Sequence, residues 1–457
     1  MTEMADIKIL HLINRLSFGP NPGQVENIKN IGIEIYIQSQ LKPDSILYPK
    51  LLIQKLKYLD TLPLTPSAII IELQRLQQQG KNLKLNRRAL NRIKRGFEQK
   101  VFLQGSKGRF LRNLESPRHL EEVMVDFWYN HFNVFGRQGL NRLYFSCYEQ
   151  QAIRPYALGK FRVLLGATAH HPAMLIYLDN WRSRKGRINE NYARELLELH
   201  TLGVDGGYTQ DDIIALAKIF TGWGLPPNNK RAEDKDGFYF DEKRHELGDK
   251  FFLGETIKEN GMAEGETALD ILASHPSTAR YISYKLAQTF VLDQPSESLV
   301  KILSQSFLDS DGDISRVLNT LFNSSEFWQP EVHNSKFKNP YRFVVSAMRA
   351  IGNEVDNFRP INGILDQLGM PLYGCVTPDG YKNTKDAWLN SDTMIRRSSL
   401  AVPLSGGLLG RGKPISAEKL MTTLGNNFSP QTRRVIGQSP ADLRAALIFG
   451  SPEFMRY

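Results

Sequence analysis

The sequence predicts a mostly α-helical protein, a multi-helix single body with a small β-hairpin insert near residues 237–254. Two observations lead to this fold class. Apolar residues recur at helical spacing in the long segments, and helix start signals such as Ser116-Pro117 precede them. Only residues 226–260 change character, with two short aromatic-rich runs at 237–240 and 250–254 that are typical of strands.

The composition is that of an ordinary globular protein. The chain has 457 residues, of which 41% are hydrophobic and 23% charged, which excludes disordered and fibrous classes. We expect one integrated helical domain over residues 1–457. No run of about 18 apolar residues is present, so no membrane-spanning helix is expected.

The compartment is predicted from the N-terminus and from the cysteines. The first residues carry two acids and lack a basic start followed by an apolar core, so no signal peptide is expected. Cys147 and Cys375 are the only cysteines, which makes a disulfide framework implausible and fits a reducing compartment. The sequence as it stands therefore predicts a cytoplasmic protein.

The first third of the chain is predicted to hold two short helices in residues 1–60 and a basic amphipathic helix over residues 81–112. The basic segment has eleven Lys or Arg and the single acid Glu98, so it accounts for the whole net charge of +10. Its apolar residues recur at helical spacing. One interpretation is contact with nucleic acid, an anionic membrane face or an acidic polymer, and the other is a solvated helix face.

A second helix is predicted from Arg118 to Phe132. It places His131 in the middle of an apolar face, where a histidine is either a hydrogen-bonded core residue or a ligand or base. Asp126 and Asn130 lie four residues apart on another face, where they could jointly position a partner.

A third helix is predicted over residues 189–203, with Tyr192, Leu196 and Leu199 facing the core. Glu195 lies at the edge of that apolar stripe. Because an isolated carboxylate is costly to bury, we expect Glu195 to have a dedicated partner. The carboxylate then serves either as an acid or base in an enzyme site or as half of a structural ion pair.

The remaining segments are an insert, further helices and a loop. A β-hairpin is predicted within residues 226–260, its strands flanking residues 244–249. Helices are expected from about Met262 to Trp328, with Asp313 capping one of them. Residues 369–384 are rich in Pro and Gly and contain two tyrosines, a composition found in binding loops as well as in structural ones.

The candidate site residues are a carboxylate, two histidines and two positioning residues. Glu195 would be the acid or base, and His131 or His245 its proton partner or a metal ligand. Asp126 and Asn180 would position the substrate. A divalent metal is compatible with these residue types, but no spacing demands one, and the cofactor stays unknown. Phosphate-loop and dinucleotide motifs are missing, which argues against the familiar nucleotide-dependent chemistries.

Several motifs resemble the bacterial family called domain of unknown function 1800, DUF1800, in the expected order from about residue 9 to residue 457. These motifs are Arg15-Leu16-Ser17-Phe18-Gly19-Pro20, Asp126-Phe127-Trp128-Tyr129-Asn130-His131-Phe132, Asn189 to Leu196, Gly206-Gly207-Tyr208-Thr209, Phe220-Thr221-Gly222-Trp223, His245 with Gly248 and Lys250, His275-Pro276 with Thr278-Ala279, the loop Pro371 to Tyr381, and Ser451-Pro452-Glu453-Phe454.

The family that the chain resembles has no assigned activity, so the resemblance implies little about the chemistry. Members of the family are often exported, a pattern from which this chain departs by lacking a signal peptide. They often lie beside a second gene whose product resembles alkaline phosphatases and sulfatases, which implies such a protein as a partner. That association implies work on cell-surface or extracellular polymers.

Two hypotheses of function follow. The first is an enzyme, a hydrolase or transferase acting on a polymer, with a carboxylate and histidine site. The second is a non-catalytic binding or assembly protein whose basic helix contacts an anionic partner and whose polar residues form a buried network. A water-accessible cleft shared by Glu195, His131 and His245 would favour the first.

Overall fold

The computed structural model confirms the mostly α-helical fold, with 64% of the chain in helices. Two small antiparallel sheets of two strands each accompany the helices in the described part of the chain. The structure describes residues 2–227, 236–352, 355, 357–408, 414–425 and 428–457.

The N-terminal part is a succession of helices that ends in the long α6 and the buried α7. Their bounds are α1 (Thr2–Leu16), α2 (Gln24–Ile31), α3 (Ile33–Gln40), α4 (Lys50–Lys57), α5 (Pro66–Asn82), α6 (Arg87–Glu115) and α7 (His119–His131), with a 3₁₀ turn at Pro43–Ser45. The first sixty residues thus hold four helices, and the prediction of two was wrong. Gly32 separates α2 from α3 because its φ of +89° lies outside the helical region.

The basic segment is divided between two helices rather than forming one. Lys84 adopts a left-handed φ of +54°, and Leu85 N donates to Gly80 O at 3.0 Å, which closes the end of α5. Asn86 then caps α6 by accepting from Ala89 N at 3.0 Å. Residues 81–112 therefore form a helical hairpin tip followed by most of α6.

The central part contains short helices in which two turns widen to π-helix. Its elements are α8 (Asn141–Cys147), a π-helix (Tyr148–Ile153), a 3₁₀ turn (Arg154–Tyr156), α9 (Phe161–His170), α10 (Pro172–Tyr177), a 3₁₀ turn (Asn180–Arg182), α11 (Asn191–Glu195), a second π-helix (Leu196–His200) and α12 (Gln210–Ile219). The predicted helix over 189–203 is thus five α-helical residues followed by a π turn. The Thr201 hydroxyl donates to Leu196 O, five residues back, at 2.6 Å, which supports the wider turn.

The strands of the insert pair differently from the expectation. They are β1 (Trp223–Gly224), β2 (Tyr239–Phe240), β3 (Lys250–Phe252) and β4 (Glu255–Ile257), with a 3₁₀ turn at Glu242–Arg244. β2 pairs with β1 and β3 with β4, so the predicted pairing of 237–240 with 250–254 was wrong. Leu253 and Gly254 both have positive φ, as a tight two-residue hairpin turn requires, and they return the chain directly after β3. Residues 228–235 of the predicted insert lie outside the described residues.

The C-terminal half is helical. Its elements are α13 (Met262–Ser274), α14 (Pro276–Phe290), α15 (Glu297–Asp309), α16 (Ile314–Phe322), 3₁₀ turns at Glu326–Trp328 and Pro330–Val332, α17 (Pro340–Ile351), α18 (Arg359–Gln367), α19 (Lys385–Trp388), α20 (Ser391–Ser405), α21 (Ala417–Leu424), α22 (Pro430–Gln438) and α23 (Ala441–Gly450). The predicted cap is confirmed, because Asp313 accepts from Arg316 N at 3.1 Å at the start of α16.

Helix α7 lies at the centre of the buried cluster and carries polar residues into it. Leu120, Met124 and Trp128 are fully buried, and Trp128 donates its indole N–H to Ala157 O at 2.8 Å. Two of the predicted site residues, Asp126 and His131, are therefore on a rigidly packed helix. Among the described residues, no helix combines the length and the apolar character needed to cross a bilayer.

Candidate functional site

A cavity of about 400 Å³ lies beside α7, between that helix, α14, the start of α17 and the loop 369–384. Its walls combine aromatic side chains with a small number of charged groups, a composition typical of ligand sites. The Arg, Lys, His and Asp residues of its lining are Arg109, Asp126, His131, Lys285, Arg342, Asp379 and Lys382.

His131 and Lys285 form the central contact of the cavity. His131 is 1% exposed, and its Nε2 lies 3.0 Å from the carbonyl oxygen of His200. Because a carbonyl only accepts, Nε2 carries the proton and the neutral ring leaves Nδ1 as an acceptor. Lys285 Nζ donates to that Nδ1 at 2.8 Å. The ring therefore orients the amine of Lys285 towards a fixed position.

Both titrating groups of this contact are shifted towards their neutral forms. Burial lowers the pKa of Lys285 to about 8, and the positive charge of Lys382 adds to the shift while Asp379 opposes it. Burial, followed by the charge of Lys285, holds the pKa of His131 well below its usual value. Desolvation disfavours the charged form of a base, so the amine loses its proton more easily than an exposed lysine does.

Asp126 is paired with an arginine that is itself held by a buried network. Arg109 contacts Asp126 through one guanidinium nitrogen and donates to Glu149 Oε2 at 3.0 Å through another. Tyr373 donates to the same Glu149 oxygen at 2.8 Å. Asp126 is 26% exposed whereas Glu149 is 0% exposed, so Asp126 is the carboxylate of the network that lines the cavity.

The two carboxylates of this network have opposite pKa shifts. Burial raises the pKa of Asp126, and Arg109 opposes this only in part. Burial alone would also raise the pKa of Glu149, but Arg109 and Arg154 outweigh it and hold the pKa below its usual value. Glu149 is therefore a fixed negative charge, whereas Asp126 holds a proton more readily than an ordinary aspartate.

The two π-helical turns of the described residues both support this site. Glu149 is within the turn Tyr148–Ile153, and the carbonyl that fixes His131 belongs to His200, the last residue of Leu196–His200. A π turn inserts one more residue per turn than the α-helix and is often found where a functional group needs an exact position.

The loop 369–384 is fastened to α7 by the backbone of Tyr381. Asn130 accepts from Tyr381 N and donates to Tyr381 O, both at 2.8 Å. Gly380 has a φ of +71°, and a Cβ on it would lie 2.2 Å from Asn130 O. Only glycine allows this approach, so the loop forms a fixed wall of the cavity.

Glu195 does not line the cavity, but it lies within electrostatic range of Asp379, which does. Among the described residues its side chain has no hydrogen-bond or salt-bridge partner, so the expectation of a dedicated partner was wrong. Burial, followed by the like charges of Glu198 and Asp379, raises its pKa. The carboxylate tolerates this position because it keeps part of its exposure to solvent.

His245 and Asn180 lie elsewhere, so the structure does not bring the five candidates together. His245 is 2% exposed and contacts Glu264 Oε1 at 3.0 Å, while Lys250 donates to the other oxygen of Glu264 at 2.6 Å. Asn180 donates to the carbonyl oxygens of Phe220 and Trp223, both at 3.1 Å. These contacts fasten the insert and the segment before it to the helical core.

A comparison with protein families identifies the family of this chain. The family described as protein of unknown function (DUF1800) matches residues 11–456. This chain belongs to the DUF1800 family. No curated protein and no solved structure matches it.

Several DUF1800 motifs meet in the structure. The motif Asp126 to Phe132 forms one wall of the cavity, and the loop Pro371 to Tyr381 forms the facing wall. The motif that begins at Arg15 reaches the same region through Arg342, which donates to the carbonyl oxygens of Asn14 and Ser17 at 2.7 and 2.8 Å and also lines the cavity. The activity of the family is unassigned.

Three residues of this DUF1800 site could not be selected from the sequence. Lys285 lies in a helix that carries no motif typical of a catalytic site. It becomes a candidate only through its contact with His131, which is distant in the chain. Arg109 belongs to the basic segment, whose charges appear alike in sequence, although Arg109 is buried. Selecting Glu149 from the sequence would have required knowledge of the π turn Tyr148–Ile153, which contains it. No cluster of three or more histidine, cysteine or acidic residues suited to a metal is present among the described residues.

Proposed function

We propose that the cavity is the active site of an enzyme, a hydrolase or transferase acting on a polymer, in which Lys285 accepts a proton while His131 holds it in place. The observation that carries this proposal is the 2.8 Å contact between Lys285 Nζ and His131 Nδ1 at the cavity wall. A general base must be positioned within hydrogen-bond reach of the group that it deprotonates, and this contact supplies the positioning.

The chemistry follows from the hydrogen-bonding capacity of the two groups. The neutral amine of Lys285 can still donate one N–H to His131 Nδ1, and its lone pair is then free to accept a proton from water or a substrate hydroxyl. The ring of His131 does not take that proton at ordinary pH, because burial and the charge of Lys285 hold its pKa well below the usual value. The pKa of about 8 leaves a useful fraction of the amine unprotonated near neutral pH.

Asp126 is the proposed acid. It reaches the cavity, its position is fixed by Arg109, and its pKa is raised by burial. Because its pKa is raised, this carboxyl group takes up a proton more readily than an ordinary aspartate and can donate it to a leaving group. Glu195 is the second candidate for an acid or base, supported by its raised pKa and by the absence of a salt-bridge partner among the described residues.

We propose that only part of the polymer substrate enters the cavity. A volume of about 400 Å³ accommodates a group of the size of a small molecule, so an end or a side group of a polymer would occupy it. Residence in the cytoplasm is supported by two buried free cysteines, Cys147 and Cys375. A phosphatase-like or sulfatase-like partner is supported by the family resemblance alone.

The test is a search for turnover that depends on Lys285. Purified protein is incubated with polysaccharide, nucleic acid, polypeptide and chromogenic ester substrates, and release of product is measured as a function of pH. Lys285→Gln keeps a donor for His131 but removes the base, and should reduce the rate about a hundredfold or more. The activity of the parent should rise with pH through about 8.

The matched control is Lys301→Gln, which changes an exposed lysine outside the cavity and should leave the rate unchanged. Thermal melting of both variants checks that they fold. Turnover that persists in Lys285→Gln would contradict the role of Lys285. Absence of Lys285-dependent turnover on the whole panel would count for the binding-protein hypothesis.

A further inference from the structure

The tip of the α5–α6 hairpin carries an exposed cluster of cations around an exposed leucine. Leu83 is 74% exposed at the turn, and Leu85 beside it is 38% exposed. The exposed cations of the tip and the first turns of α6 that have no carboxylate partner among the described residues are Lys81, Lys84, Arg87, Arg88, Arg92 and Arg95. The chain from residue 73 to residue 97 contains no Asp or Glu. We refer to residues 81–95 as the basic tip.

The basic tip has a defined shape. Gly80 lets the two helices approach closely, because a Cβ there would lie 2.8 Å from Leu90 Cδ2 and 2.9 Å from Ile93 Cδ1. The capped turn at Asn86 fixes the start of α6, as described above. The exposed apolar side chain and the charges therefore have a fixed arrangement relative to one another, with Arg88, Arg92 and Arg95 following each other at helical spacing on one face.

The arrangement differs from the rest of the basic segment. Lys94 pairs with Glu98 at 3.7 Å, Lys100 with Asp60 at 2.6 Å, and Arg109 belongs to the buried network. Several charges of the segment, including Lys94 within the tip, are thus paired or buried, whereas the other six cations of the tip have no carboxylate partner among the described residues.

We propose that the basic tip docks on a bilayer surface that contains anionic phospholipids, with Leu83 entering the headgroup region and the arginines contacting lipid phosphates. Positive charge attracts the protein to an anionic leaflet, and an apolar side chain gains free energy only if it leaves water. Single-stranded nucleic acid is a poorer match because binding to it uses exposed aromatic stacking, and Phe97 at the end of this segment is 6% exposed.

The experiment measures binding of the full chain to vesicles by sedimentation. The vesicles contain either phosphatidylcholine alone or phosphatidylcholine mixed with phosphatidylglycerol. The parent should bind only the mixed vesicles. Replacing Arg88, Arg92 and Arg95 together with Gln should weaken this binding on the order of a hundredfold, since each cation near an anionic surface contributes about fivefold. Leu83→Ser should weaken it about tenfold.

Two matched controls remove the same number of charges, or another exposed aliphatic side chain, outside the basic tip. Replacing the exposed Lys243, Lys301 and Arg316 with Gln removes the same number of charges elsewhere, and Ile302→Ser removes another exposed aliphatic side chain, 54% exposed. Both controls should bind like the parent, and all variants should melt near the parental temperature.

Three results would overturn the proposal. One is a parent that does not bind mixed vesicles, or binds phosphatidylcholine equally well. Another is binding that the charge control weakens as much as the tip variant does. The third is retention on DNA or heparin that needs the tip arginines, combined with vesicle binding that Leu83→Ser leaves unchanged. That result would show that the tip binds a polyanion such as DNA or heparin rather than a bilayer.

Discussion

Lys285 Nζ lies 2.8 Å from His131 Nδ1, although 154 residues separate the two in the chain. The contact joins α14 to the end of α7, and both of its groups have pKa values lowered by burial.

The first prediction concerns the reactivity of Lys285. Burial lowers its pKa to about 8 from an ordinary value of 10.5, so the free amine appears at lower pH than in an unfolded chain. Competition labelling with an amine-specific acylating reagent, read by mass spectrometry, should show half-maximal reactivity of Lys285 near pH 8. The same peptide in the denatured protein is the reference, and identical profiles in the two states would contradict the shift.

The second prediction compares two Glu→Gln substitutions of the same size. Glu195→Gln removes a charge that has no salt-bridge partner among the described residues and that Glu198 and Asp379 repel more than Arg194 attracts it. Its free energy of unfolding should stay within about 1 kcal/mol of the parent, or rise slightly. Glu149→Gln should cost about 3 kcal/mol, because Arg109 and Arg154 each lose one carboxylate partner while keeping Asp126 and Glu122.

Chemical denaturation measures both variants of that pair. A large loss in Glu195→Gln would show that Glu195 supports the fold through a partner and would argue against its use as an acid or base. A stable Glu149→Gln variant would contradict the view of Glu149 as the fixed charge of the network.

The third prediction concerns the loop that forms the facing wall of the cavity. Gly380 and Gly369 have φ values of +71° and +80°, so alanine is strained at both, by about 1–2 kcal/mol. Only at Gly380 would the new Cβ collide with Asn130; at Gly369 it meets no atom within 4 Å. Gly380→Ala should therefore lower stability clearly more than Gly369→Ala. Equal losses in thermal melting would contradict the contact of the loop with α7.

The fourth prediction is a loss of stability in mild acid. Burial lowers the pKa of His171 and His200 to about 3 and that of His11 to about 2, against 6.5 in an unfolded chain. Below about pH 6.5 the unfolded chain takes up protons that the folded protein refuses, so stability falls as the pH falls. From pH 7.5 to 5.5 the expected loss is about 1 kcal/mol for each of these histidines.

The control for the pH prediction is His171→Asn. His171 Nδ1 caps α10 by accepting from Ala173 N at 3.1 Å, and asparagine is an equally good cap that does not titrate. Urea unfolding of this variant should depend on pH less steeply than that of the parent, by about one proton. An unchanged slope would show that His171 is not responsible for its share of the loss.

The sequence predicted the features that local pattern controls. The predominance of helix and the cap at Asp313 follow from spacing and from capping residues that act within a few positions. The family, too, is evident from motifs that are contiguous in the chain. Local reasoning failed at the number of helices in residues 1–60, at the division of the basic segment between α5 and α6, at the strand pairing of the insert and at the π turn after Glu195. The last two depend on single residues such as Gly254 and Thr201.

Whether polar residues converge was decided only by the tertiary structure. The sequence offers no ground for preferring one of His131, His245 and Glu195 as a site residue. In the structure His131 contacts Lys285 in the cavity, whereas His245 contacts Glu264 next to the insert. Glu195 has no hydrogen-bond or salt-bridge partner among the described residues. The physical reason is that burial and distant charges set the properties of such groups, and both arise when helices far apart in the chain pack together. The sequence by itself thus determined the helices, the family and the basic segment, whereas packing determined which of its charged groups could act in a common site.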